Sequence, residues 1–145
     1  MTARRLRACL LLGSGLLLGG CASFDADAAH SGGLAGLTRF FVVSNLNDNH
    51  ALDRRIAAAL EARGLTAATG PLTMMPGATQ AVVTFSDHWS WDFGEHLDYL
   101  KITVRSPESN DTLAAATFSA RIPLKESVPA TVGRLVTRLF GENAR

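Results

Sequence analysis

Leu97-Asp98-Tyr99-Leu100-Lys101-Ile102-Thr103-Val104-Arg105 puts Leu100, Ile102 and Val104 on one parity and Tyr99, Lys101, Thr103 and Arg105 on the other. Successive side chains of a strand point to opposite faces, so the alternation predicts a strand with one face in a core and one toward water. A polar turn with Pro107 follows over residues 106–111. The pattern then resumes, with Ala114, Ala116, Phe118, Ala120 and Ile122 against Ala115, Thr117, Ser119 and Arg121. Two alternating runs around a short polar turn predict an antiparallel hairpin, and the rest of the chain is placed against it.

Upstream, the same period of two begins at Gln80. Ala81, Val83, Phe85, Trp89 and Trp91 fall on one parity, and Thr84, Ser86, His88, Ser90 and Asp92 on the other. A bend at Phe93, Gly94 and Glu95 returns this strand toward Leu97. Phe40 to Val43 is a short apolar run that suits a strand covered on both faces. Asp48 or Asn49 can accept from the free amides of a first helical turn, and Leu52, Ile56, Ala59 and Leu60 form the apolar stripe of a helix to about Arg63. Gly64 can take the left-handed conformation that ends a helix, and residues 65–69 form a weak strand. Downstream, Ser127 caps a second helix with Pro129 in its first turn, where a missing amide costs little. Val132, Leu135, Val136, Leu139 and Phe140 are its buried stripe, and Gly141 its stop. The expected fold is α+β: a two-layer sandwich, one mainly antiparallel sheet of four or five strands with two helices on one face.

The N-terminal residues read differently. Arg4, Arg5 and Arg7 precede an apolar run over residues 8–18, the order of a secretory signal, and that run is well short of the roughly 20 residues that span a bilayer. It closes on Leu18-Gly19-Gly20-Cys21. Small residues before a cysteine let a peptidase fit the backbone closely at the scissile bond, and a thiol can accept a diacylglyceryl group as a thioether. These four residues resemble the lipobox of bacterial lipoproteins. The resemblance implies cleavage before Cys21, lipidation of Cys21 with acyl chains such as palmitate, and, because Ala22 rather than Asp follows the cysteine, sorting to the outer membrane. Residues 22–37 are small, polar and glycine-rich, a composition that reads as a flexible tether. The expected organisation is a signal peptide over 1–20, a lipidated tether over 21–37 and a small domain over 38–145.

Cleavage before Cys21 leaves 125 of the 145 residues and removes three arginines, so 14 basic residues become 11 against 13 acidic ones, a net charge of −2. No basic footprint for nucleic acid is present in that balance. Of the two cysteines, Cys9 leaves with the leader and Cys21 is taken by lipid. The mature chain is therefore expected to hold itself together by burial, without a disulfide.

Functional groups are densest over residues 87–96. Carboxylates and imidazoles there suggest a metal site, but His88 and Asp92 on one face of an extended strand lie about 13 Å apart at roughly 3.3 Å per residue. The same spacing separates a Ser90, His88, Asp92 triad, and no Gly-x-Ser-x-Gly elbow exposes a nucleophile. Neither a catalytic residue, a metal nor a cofactor is therefore assigned. Trp89 and Trp91 supply apolar area, with Asp87 as the expected acceptor for an indole N–H. His88, Trp91, Phe93 and His96 around the bend form a candidate recognition surface. The leader and small domain together are similar to compact, non-catalytic outer-membrane lipoproteins of Gram-negative bacteria, including the lipopolysaccharide-assembly lipoprotein. This likeness of element order carries no site residues. The expected function is that of a lipid-anchored, periplasm-facing binding or assembly partner of another envelope protein. The alternative is a ligand- or metal-binding lipoprotein using the bend from Asp87 to His96.

Overall fold

The computed structural model describes residues 22–27, 33–92, 94–121 and 126–141. The leader, Cys21 and Phe93 lie outside them. In chain order the elements are β1 (Ala22–Asp27), β2 (Arg39–Val43), α1 (Leu52–Glu61), β3 (Thr66–Gly70), β4 (Ala81–Ser90), β5 (His96–Arg105), β6 (Thr112–Ala120) and α2 (Val128–Leu139), with a short 3-10 turn at Leu72–Met74. They form one six-stranded sheet in the order β1-β6-β5-β4-β2-β3.

The expected hairpin is β5 and β6, paired antiparallel with Ile102 opposite Ala116 and Leu100 opposite Phe118. Leu100, Ile102 and Val104 are fully buried, as their parity requires. The buried stripes of α1 and α2 join them in one core with Phe40, Val42 and Val83. In α1 the stripe is Leu52, Ile56, Ala57 and Leu60. Asp48 starts this helix, its carboxylate accepting from the amides of Leu52 and Asp53. Gly64, at φ 81°, ends it, and the Leu65 amide returns to the Leu60 carbonyl at 3.3 Å.

The α+β class holds, but the sheet is mixed and wider than expected. β2 runs parallel to both β3 and β4, with Phe40 opposite Ala67 on one side and Ala81 on the other. β2 lies inside the sheet, and both its faces are covered, since Phe40, Phe41 and Val42 are all buried. Phe41 is 2 % exposed without joining the helix-side core; its ring lies 3.5 Å from where a Cβ on Gly70 would sit.

A second difference concerns residues 22–27 and 33–37; residues 28–32 of the expected tether lie outside those described. Where a flexible tether was expected, Ala22–Asp27 is an edge strand paired antiparallel with β6, Phe24 opposite Phe118. Leu34 is also buried in the core. One aromatic explains the strand. Phe24 packs on Phe118 with ring centroids 4.9 Å apart, and the Arg134 guanidinium of α2 sits 4.7 Å over the Phe24 ring. Glu126 accepts from the same guanidinium at 2.8 Å, holding it in place. A segment with few apolar side chains can still be ordered when a finished strand edge supplies its backbone partners.

Candidate functional site

The far end of the β4–β5 hairpin carries the functional groups, and a β-bulge arranges them. His88 faces Tyr99 across the ladder while Trp89 faces Leu97, so Asp98 is an extra residue with no partner. A bulge re-aims a side chain, and here it turns Asp98 onto the face that His88 and Ser90 share. His88 Nδ1 donates to Asp98 Oδ1 at 2.8 Å, and Ser90 Oγ donates to Asp98 Oδ2 at 2.6 Å. Burial pushes the Asp98 carboxyl up, but the hydrogen bonds from Ser90 and His88, with the His88 charge, outweigh it. The group is held below the usual carboxylate range.

A serine, a carboxylate and a histidine thus meet, in an order that does not activate the serine. The carboxylate stands between the other two, and the hydroxyl proton points at Asp98 rather than at an imidazole base. Sequence spacing excluded Asp92 as the acid and missed Asp98. No periodicity signals a bulge, so Asp98 had no visible reason to turn toward His88.

The opposite face of the tip is built on Trp89. Its indole Nε1 donates to Asp87 Oδ2 at 2.8 Å, the partner expected for Asp87. His50, from the loop before α1, lies on that indole with ring centroids 3.5 Å apart, and its Nε2 donates to Glu95 Oε1 at 2.9 Å. His50 is 45 positions from Glu95, and nothing in its local sequence announced the contact. A cavity of about 210 Å³ opens beside them, lined by Trp89, Glu95, His96, Leu97, Phe118 and Thr131 among others. It is smaller than the roughly 300–1,000 Å³ of typical small-molecule sites.

The four residues of the expected recognition surface separate. Trp91 is 71 % exposed. His88 also faces solvent, with one nitrogen on Asp98. The His96 side chain is 13 % exposed, and its Nδ1 donates to the Gly94 carbonyl at 2.9 Å. Phe93 lies outside the described residues, as does Cys21. The imidazoles are spent in pairs: His88 with Asp98, His50 with Glu95, and His96 within 3.8 Å of Asp92. Among the described residues, no three His, Cys, Asp or Glu side chains converge as a metal site would require.

No family model matches the chain, and no curated protein matches it. Solved structures do. A PelC dodecamer from Paraburkholderia phytofirmans superposes with a TM-score of 0.59 at 13 % identity, covering 82 % of this chain and 95 % of that one. A leucine-to-methionine variant of that dodecamer gives 0.57 at 12 % identity, with 82 % and 94 % covered. At such identity the likeness is one of fold.

Proposed function

We propose that this chain is a non-enzymatic lipoprotein of the Gram-negative envelope, anchored in the outer membrane through acyl chains on Cys21 and facing the periplasm, where it serves as an assembly partner. The observation that carries the reading is the position of β1. Its first residue, Ala22, follows the lipobox cysteine directly, and β1 is paired with β6 from Ala22 to Asp27. A thioether at Cys21 would therefore join a bilayer to the edge of the sheet with no spacer between. One acyl chain holds a protein only marginally, and the two or more that a lipobox cysteine acquires hold it firmly.

The partner favoured is another copy of this chain, because the solved neighbours are dodecamers and span nearly the same length. The test is Cys21→Ser in intact cells. The expected result is loss of the lipid mass and release from the membrane fraction, and a variant that still partitions with membranes at unchanged mass overturns the anchor. Native mass spectrometry of the detergent-extracted wild-type chain is expected to give a multiple of the protomer mass. A monomer overturns self-assembly.

A further inference from the structure

Sheet register puts the start of β1 and the end of β4 at the same end of the molecule. Ala22 is opposite Ala120, Ser119 is opposite Tyr99, and Tyr99 is opposite His88. The strands between are only β6 and β5, so Ala22 stands three strand spacings, about 14 Å, from the β4 chain near Trp89. Just past the end of β4 is Trp91, 71 % exposed.

We infer that the β4–β5 tip is a membrane-docking element, with the Trp91 indole in the interfacial layer of the bilayer that holds Cys21; this rests on the lipid-anchor reading above. The tip is held to receive such a load. Trp89, two residues before Trp91, is fixed by Asp87 and by the His50 ring, and Glu95, on the far side of the turn, is bonded to His50. The loop that delivers His50 also carries Leu46, which is 99 % exposed. Two large, mostly exposed apolar side chains thus project from segments pinned to one another, at the end of the sheet where the strand after the proposed acylated residue begins. Among the described residues the other large exposed apolar side chains, Leu72 and Met74, lie at the same end of the sheet but follow β3, the edge strand farthest from β1.

Tryptophan is suited to this place, with an apolar ring for the acyl boundary and an N–H for headgroup oxygens. The contact need not be strong. An anchor about 14 Å away turns the second contact into an intramolecular one, at an effective concentration on the order of millimolar. Among the described residues the charged groups around the tip are mostly acidic, Asp48, Asp87, Asp92, Glu95 and Asp98, against Arg55, whose guanidinium donates to the His50 carbonyl, and Arg121 after β6. The occupant is accordingly the interfacial layer of the bilayer, not anionic headgroups.

The full chain, purified from membranes, is reconstituted into phosphatidylethanolamine vesicles whose acyl chains carry bromine near the interface. Emission quenching is compared between wild type and Trp91→Phe, and the mass of the Cys21 peptide is read from the same samples. The expected result is quenching in the wild type that is mostly lost in Trp91→Phe and is unchanged when phosphatidylglycerol is added. An acylated chain whose Trp91 is unquenched overturns docking and leaves the anchor standing. An unacylated chain whose Trp91 is quenched overturns the anchor and retains docking. An unacylated, unquenched chain overturns both, and quenching that appears only with phosphatidylglycerol overturns the apolar contact.

Discussion

The His50 imidazole lies flat on the Trp89 indole, with ring centroids 3.5 Å apart and planes 13° from parallel. Its Nε2 reaches across to Glu95 at 2.9 Å, while its own backbone amide donates to Asp48 Oδ1 at 2.8 Å. Asp48 in turn caps α1. One residue therefore ties the start of the first helix to the tip of the β4–β5 hairpin, two elements that share no backbone ladder.

His50→Ala removes the stacked ring and the Glu95 hydrogen bond together. Aromatic pairs contribute about 0.5–1.5 kcal/mol, and a partly exposed ion pair adds a few tenths, so a loss of about 1–2 kcal/mol is expected. Urea unfolding followed by tryptophan emission measures it, since Trp89 reports on the contact directly. A midpoint equal to the wild type would show that the stack carries no stability.

Asp98 is expected to contribute to the acid limb of the stability curve. Its folded pKa lies below the ordinary range, so the folded state favours the ionised form. The stability it contributes is fully present above the unfolded-state pKa, and is lost as pH falls below about 4 toward the folded value. In Asp98→Asn that segment of the curve should flatten, with lower stability at neutral pH. Thermal unfolding of both proteins from neutral to strongly acid pH tests this, and parallel curves would remove Asp98 as a contributor.

Asp87→Asn keeps a carbonyl acceptor for the Trp89 indole but gives up the charge. The expected cost is about 0.5–1 kcal/mol, a fall in Tm of roughly 2–6 °C for a domain of this size. Calorimetry measures the Tm, and membrane fractionation is expected to give the same distribution as the wild type, since the proposed anchor does not involve Asp87. An unaltered Tm would mean that the indole finds another acceptor.

Phe24→Ala tests whether β1 belongs to the folded domain. The side chain loses its contacts with Phe118 and Arg134, and as a half-buried aromatic it should cost about 2–3 kcal/mol, toward the low end for truncations of this kind. Denaturant unfolding gives the value. A loss below about 0.5 kcal/mol, the usual range of a surface change, would return Ala22–Asp27 to the tether expected from composition.

Features governed by neighbours in sequence were legible. Leu100, Ile102 and Val104 declared their shared face by period, Leu52, Ile56 and Leu60 declared theirs, and Asp87 was placed beside an indole only two residues away. What escaped depended on partners far along the chain. β1 reads as a tether because Ala22, Ser23 and Asp25 have little apolar area, and only the edge of β6 gives them a reason to be ordered. β2 lies parallel to β4 because the chain between them, through α1 and β3, crosses the sheet before returning, which the period of a single strand does not encode. The bulge at His88 and Trp89 shifts parity partway along a strand, so Asp98 joined a face on which simple alternation does not place it. His50 reached the site through a loop, where no period exists.

The pairing of β1 with β6 also sets an order of events. Ser23 and Ser119 share a hydroxyl contact across 96 positions of sequence. β1 thus has no partner until almost the whole polypeptide has been made. Closing so large a loop is slow relative to zipping the β4–β5–β6 meander, whose ladders are local. The leading segment would then stay unpaired until the meander is complete, and, under the lipid-anchor proposal, that interval is when the residues before Ala22 are open to processing.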